Sequence, residues 1–243
     1  MKKFVILFFL VAACQPIEPS AQTIIDQSIA RYGGSEWSQA HLNFRFRNHT
    51  YTLKRDHQNF IYTRQSLDDS LPYKDVITSS GAFTRTLNEQ PIALSDSLKQ
   101  LYASSVNSVL YFVQLPYILN DGAVIKERLM DSEIVGQPYY TLKITFQQEG
   151  GGEDYRDAFR YWIHQTTYEI DYMAYNYQTS GGGTRFRVTT SKNKVAGLTV
   201  QDYDNYKADE KFPPLDSLPV YFERGNLQKV SSIINTDWTK VRD

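Results

Sequence analysis

Residues 159–190 read FRYWIHQTTYEIDYMAYNYQTSGGGTRFRVTT, and this stretch decides the fold. Phe159–His164, Tyr168–Gln178 and Thr184–Thr190 are dense in aromatic and β-branched residues, the composition that suits a half-buried pleated surface. The segments between them, Gln165–Thr167 and Thr179–Gly183, are short and carry turn residues. The pattern reads as consecutive antiparallel strands. Moving outward, Tyr139–Gln147 and Leu198–Tyr206 repeat it, giving five strands in a meander. Alternate connections of a meander lie at one end. The spacing therefore predicts a shared rim for the loop holding Gly150-Gly151-Gly152 and the loop holding Gly181-Gly182-Gly183. The close of the fifth strand, Asp202-Tyr203-Asp204-Asn205-Tyr206, is expected at the same rim.

Upstream, apolar residues at Ala21, Ile24, Ile25, Ile29 and Tyr32 follow helical spacing behind a candidate cap, Ser20, and Gly33-Gly34 ends the helix. Leu42, Phe44 and Phe46 then alternate with Asn43, Arg45 and Arg47, which predicts a half-buried strand. A turn at Asn48-His49, a segment through Tyr51 and Leu53, and a strand from Phe60 to Arg64 continue the meander. Ser95–Gln114 differs: Leu98, Leu101, Tyr102, Val106, Val109, Leu110 and Val113 fit a 3.6-residue period, and Pro116 ends the helix. A late irregular stretch follows Pro213-Pro214, with a last strand expected over Val230–Ile234 near Trp238.

The chain starts with Lys2 and Lys3, a short apolar run from Phe4 to Leu10, and then Val11-Ala12-Ala13-Cys14. An aliphatic residue, two small residues and a cysteine form the bacterial lipoprotein processing pattern. The run is too short to span a bilayer and reads as a signal sequence. Residues 1–13 are expected to be removed, Cys14 to carry lipid, 14–19 to form an extended proline-bearing tether, and 20–243 to fold as one domain. Cys14 is the only cysteine, so no intramolecular disulfide forms and stability comes from the core. The 26 basic residues, two of them in the leader, nearly balance the 27 acidic ones, which argues against nucleic acid as a partner.

Two groups of residues are candidates for a site. The first is the Gly-rich rim, with Glu149, Glu153, Asp154, Asp157, Asp202 and Asp204 beside Arg185 and Arg187. Glycine lets the backbone approach a ligand closely, and carboxylate oxygens suit a hard cation such as Ca²⁺. The same carboxylates can instead pair with the arginines, and the EF-hand spacing is missing. The second is the aromatic sheet. Tyr161, Tyr172 and Tyr175, with Leu110 and Phe112 of the mid-chain helix acting as lid, are candidates to line a space for an apolar ligand. The competing reading is a core filled with aromatic rings. Glu169 and Asp171 share one face of a strand, which reads as a solvated outer face. His41, His49, His57 and His164 lack zinc spacing, and no Gly-x-Ser-x-Gly elbow, phosphate loop or dinucleotide fingerprint occurs.

Several stretches carry a family resemblance: Ser105–Phe112, Leu115-Pro116-Tyr117, Leu119-Asn120-Asp121, Thr145–Gly152, Phe159–Ile163, Gly181–Arg187 and Asp202–Tyr206. Together they resemble an uncharacterised family of predicted lipoproteins from Bacteroidota. Some of its members bear a deoxyribose-phosphate aldolase label. That enzyme is a β/α barrel with a Schiff-base lysine; alternating βα units are missing here, and Lys143 is not assigned the role. The layout is also similar to the lipoprotein-localisation-factor superfamily, open barrels whose helices plug a concave side over an apolar cavity. That resemblance implies carriage or receipt of lipids or lipid-modified proteins.

The resulting expectation is a mainly β, α+β protein: a single open antiparallel half-barrel with an N-terminal helix and inserted helices on its concave face. It would sit in the cell envelope, at the outer membrane, anchored through lipid on Cys14. Its task would be binding or carrying an apolar or amphipathic ligand, with no cofactor required. The alternatives are an envelope enzyme or Ca²⁺-binding protein using the acidic rim, and an interaction lipoprotein without a small ligand.

Overall fold

The computed structural model describes residues 18–148, 157–178 and 181–241. Helix α1 (Ala21–Arg31) begins behind Ser20, whose Oγ accepts from the Thr23 N–H. The helix exits at Gly33, where φ is 123° and an added Cβ would meet Leu198 Cδ2 at 2.9 Å and the Gly197 carbonyl oxygen at 3.1 Å. Only glycine allows both the positive φ and that approach. Nearby, the Thr199 N–H donates to the Tyr32 carbonyl at 2.9 Å, tying the helix exit to a strand far away in sequence.

Two antiparallel sheets follow. The first contains β1 (His41–Phe46), β2 (His49–Asp56), β3 (Asn59–Ser66), β4 (Tyr73–Thr78), β5 (Phe83–Leu87) and β6 (Gln90–Pro91) in chain order. The second is built from β7 (Val124–Arg128), β9 (Gln137–Phe146), β10 (Phe159–His164), β11 (Ile170–Tyr177), β12 (Gly183–Val195), β13 (Leu198–Lys207) and β14 (Gln228–Ile233), with the short β8 (Ser132–Ile134) paired to β9. The final strand, β15 (Thr236–Lys240), crosses over and pairs with β1. The two sheets are thus joined at one edge through β14 and β15 and are not closed into a barrel. This is the expected open, mainly β architecture.

Helix α2 (Asp96–Val113) lies between the sheets. Val106, Leu110 and Val113 pack into a core with Leu42, Phe44, Tyr51, Leu53 and Tyr62 of the first sheet. Tyr111 and Phe112, on another face of the helix, pack on Tyr161, Met173 and Tyr203 of the second. One helix therefore wedges two concave faces apart. Ile24 and Ile25 of α1 fill the same second-sheet core. A third cluster covers the outer face of the second sheet, where Leu215, Leu218 and Phe222, around the short α3 (Leu218–Glu223), pack on Trp162, Tyr172 and Phe186. Among the described residues, no helix is long and apolar enough to cross a membrane.

Candidate functional site: the cavity between helix α2 and the second sheet

The five-strand meander appears in the expected order, but only β10 keeps its expected bounds, and two of the shifts matter for the site. Tyr168 takes a positive φ and belongs to the turn before β11. Strand β12 runs to Val195, beyond the expected Thr190, bending at a bulge between Thr189 and Ser191 and turning back through Ala196-Gly197. This extension moves Asp202 off the rim. It pairs with Ser191, far along β12 from Gly183, and its carboxylate accepts from the Ser191 hydroxyl at 2.7 Å and the Asn235 N–H at 2.9 Å. Asp202 thus fastens the crossover between the sheets. Asp204, opposite Val188, pairs with Lys229 at 2.7 Å and accepts from the Ser232 hydroxyl. Its carboxyl is held below the usual range chiefly by the hydrogen bond from Lys229.

Of the remaining rim carboxylates, Glu149, Glu153 and Asp154 lie outside the described residues, as do residues 1–17 with Cys14 among them, while Asp157 is described and lines the cavity below. Among the described residues, no group of three His, Cys, Asp or Glu side chains is arranged to hold a metal ion. Glu18 and Pro19, in the segment expected to be a tether, are described: Arg128 donates to the Pro19 carbonyl at 2.8 Å and to the Glu18 carboxylate at 2.7 Å, which docks this segment on β7. Glu169 and Asp171 do share a face, and both accept from Lys192, at 2.8 and 2.6 Å. Lys143, on β9, is partly exposed and pairs with Glu127 at 2.8 Å. Its surroundings are an antiparallel sheet, not a β/α barrel.

A cavity of about 470 Å³ opens where the C-terminal half of α2 faces β11–β13 and the crossover at Ile233 and Asn235. That size falls within the range of about 300–1,000 Å³ typical of small-molecule sites. Its walls are of two kinds. Phe112, Phe146, Phe159, Tyr175 and Tyr203 form an aromatic side. Phe159 stacks on Tyr175 with ring centres 5.3 Å apart, and Phe112 meets Tyr175 at 5.3 Å. Arg47, Arg64, Arg185 and Arg187 form a cationic side, with His49, Asp157 and the amides of Asn205 and Asn235.

The five residues expected on an apolar wall separate in the structure. Phe112 and Tyr175 line the cavity. Tyr161 sits behind the wall, fully buried, its hydroxyl 3.0 Å from that of Tyr111. Burial pushes the Tyr161 phenol well above its ordinary pKa. Leu110 points the other way, into the first-sheet core, because it shares a helical face with Val106 and Val113. Tyr172 lies on the outer face under Phe222, with the bulge beside Trp162 resetting the alternation along β11. Arg185, expected at the rim, also lines the cavity; its Nη1 donates to the Thr184 carbonyl at 2.8 Å.

The arginines at Arg185 and Arg187 are two apart on β12, so they share the concave side, while Phe186 between them faces outward. Arg187 is 8% exposed. Its guanidinium lies 3.7 Å from the centre of the Phe112 ring, and its Nη2 donates to the Tyr175 hydroxyl at 2.8 Å. Among the described residues, its Nε and Nη1 have no hydrogen-bond partner. The sequence does hold a trace of this: Arg-Phe-Arg-Val alternates cleanly, but Phe186 and Arg187 are both buried, so alternation alone does not say which face carries the site.

No curated protein matches the chain. Solved structures do resemble it. A LolA superfamily protein from Nitrosomonas europaea aligns over 93% of this chain and 95% of its own, with a TM-score of 0.53 at 13% identity, so the two share a fold. A DUF1329 family protein from Desulfovibrio piger aligns over 92% and 94%, with a TM-score of 0.49 at 10% identity. A domain assigned to outer membrane lipoprotein sorting in Vibrio parahaemolyticus aligns over 91% and 92%, with a TM-score of 0.44 at 9% identity. At the level of sequence, residues 1–235 match DUF6503, and the chain belongs to that family of unknown function.

Proposed function

We propose that this protein is an envelope lipoprotein, anchored at the outer membrane through lipid on Cys14, that holds an apolar or amphipathic ligand such as an acyl chain. The observation that carries this reading is the cavity of about 470 Å³ beside α2, walled on one side by Phe112, Phe146, Phe159 and Tyr175. An aromatic wall with a few convergent polar groups is the usual make-up of a small-molecule site. The LolA-type fold supplies the space, because two sheets joined along one edge leave a concave interior open to a ligand.

The site is tested on the full chain, purified gently and examined by native mass spectrometry with extraction of bound molecules. The expected result is an added mass that extracts as lipid. Ser108 lines the cavity from the helix, and S108W places an indole there. This variant is expected to lose both the added mass and the binding of a neutral fluorescent probe, N-phenyl-1-naphthylamine. A bare protein that ignores the probe, or a probe that binds S108W equally well, would sink the reading. The anchor is tested separately: C14S is expected to lose the diacylglycerol mass and to leave the membrane fraction.

A further inference from the structure

We infer that the ligand of this cavity is an anionic amphiphile, with a carboxylate or phosphate-type head received by Arg187. The inference rests on the cavity-binding reading above and adds the chemistry of the head. Arg187 lines the cavity, is more than nine-tenths buried, and keeps Nε and Nη1 unpaired. Its other contacts are three rings and one hydroxyl: Phe112 at 3.7 Å, Tyr175 at 5.2 Å, Tyr203 at 5.8 Å, and the Tyr175 hydroxyl. Rings attract a cation weakly and a phenol does not neutralise it, so among the described residues this buried charge has no paired counter-charge.

The other charges among the described lining residues pair elsewhere or add to it. Arg64 is already served by Asp75. Arg47 and Arg185 add positive charge. Asp157 is the one carboxylate among the described lining residues, and it has an interaction of its own. The amide oxygens of Asn205 and Asn235, also on the lining, are without partners among the described residues. A water can serve those; a buried guanidinium with unpartnered N–H donors on Nε and Nη1 favours an anion, whose charge-assisted hydrogen bonds are stronger than neutral ones. The same cavity continues over Phe112, Phe159 and Tyr175, which leaves an apolar path for the rest of the molecule. A head and a tail are therefore specified by adjoining walls.

The test uses the full chain after delipidation, at pH 8, with N-phenyl-1-naphthylamine as the neutral reporter. Competitors are dodecanoate, dodecyl phosphate, 1-dodecanol and inorganic phosphate. The expected result is that at least one of the two anionic amphiphiles displaces the probe at concentrations about tenfold or more below dodecanol, since charged hydrogen bonds outweigh neutral ones. In R187Q that preference is expected to shrink to about threefold or less, with dodecanol unchanged, while R187K retains part of it. Which anion gains most identifies the head. Equal displacement by dodecanol and both anions in the parent would overturn the inference and leave the cavity reading standing; this arm needs no variant. Displacement by inorganic phosphate as strong as by dodecyl phosphate would also overturn it, because the site would then take free anions. Failure of the probe and every amphiphile to bind would overturn the cavity reading itself.

Discussion

Arg64 in the first sheet and Arg187 in the second are buried to nearly the same degree, 6% and 8% exposed, and are treated in opposite ways. Around Arg64 each charged group has a charged partner. Asp75 is fully buried and accepts from Arg64 Nε and Nη2 at 3.0 and 2.7 Å, and from Arg85 Nε and Nη2 at 2.6 and 2.9 Å. Arg64 Nη1 reaches the Ser105 hydroxyl of α2 at 2.8 Å, and Arg85 lies 3.6 Å from the centre of the Tyr102 ring. That cluster locks the helix onto the first sheet. Around Arg187 the same helix offers Phe112 instead of an acceptor. Paired charges hold architecture; an unpaired one beside a cavity costs stability and is suited to a partner that arrives and departs.

The comparison breaks most readily at Asp75. D75N leaves two guanidinium groups to share a neutral amide in a buried setting, and removing one partner of a buried ion pair typically costs about 3–5 kcal/mol. The expected outcome is a fall of that size in urea-denaturation stability, with the slope of the transition unchanged. A loss below about 1 kcal/mol would mean that the cluster is solvated like a surface pair, and the contrast between the sheets would lapse.

At Arg187 the expectation reverses. R187M removes a buried unpaired charge and keeps a flexible apolar side chain over Phe112. The lost cation–π attraction is worth about 0.5–2 kcal/mol and the relieved desolvation opposes it, so stability should stay within about 1 kcal/mol of the parent or rise. Denaturation of the delipidated chain measures this. A drop of about 3 kcal/mol or more would make Arg187 a structural residue like Arg64 and remove the asymmetry.

How much of this the sequence announces depends on which signal is local. The five-strand meander, α1 and α2 follow from periodicity and caps, because alternation along a strand and spacing around a helix depend on neighbours. The short or edge elements β4 to β8, and the β15 crossover, leave no comparable pattern: Val124–Arg128 has its apolar residues half-buried or exposed, and Thr236–Lys240 is mostly polar. Site geometry was legible in part. Phe112, Tyr175 and Arg185 reach the cavity, but Leu110 and Tyr172 do not, since one helix face and one bulge decide which side each residue serves. The placement of Asp202 turned on the length of β12, set by a bulge and a two-residue turn that composition does not count out. Arginines on a concave face defy the rule that charge lies outside, and rule-breaking of this kind marks sites more often than cores.

The smallest effect sharpens the same contrast from the first sheet's side. His49, half-buried on the cavity lining with its Nε2 2.6 Å from the Tyr73 hydroxyl, has its pKa lowered below the ordinary 6.5, first by burial and then by the charge of Arg64, with Asp75 opposing. A lowered pKa means that the unfolded chain takes up this proton more readily than the folded one. The contribution of His49 is therefore fully present above 6.5 and declines as pH falls toward the folded value, below which it is flat. H49Q should remove that part of the pH dependence while leaving stability at pH 8 close to the parent, and an NMR titration of the imidazole reads the folded value directly. In D75N, losing the opposing carboxylate should drive the His49 value lower still. A His49 that titrates at 6.5 or above in the parent would show that burial and Arg64 do not outweigh Asp75 there. One that rises in D75N would show that Asp75 does not govern the field at this end of the cavity, and the pairing assigned to the Arg64 cluster would fall with it.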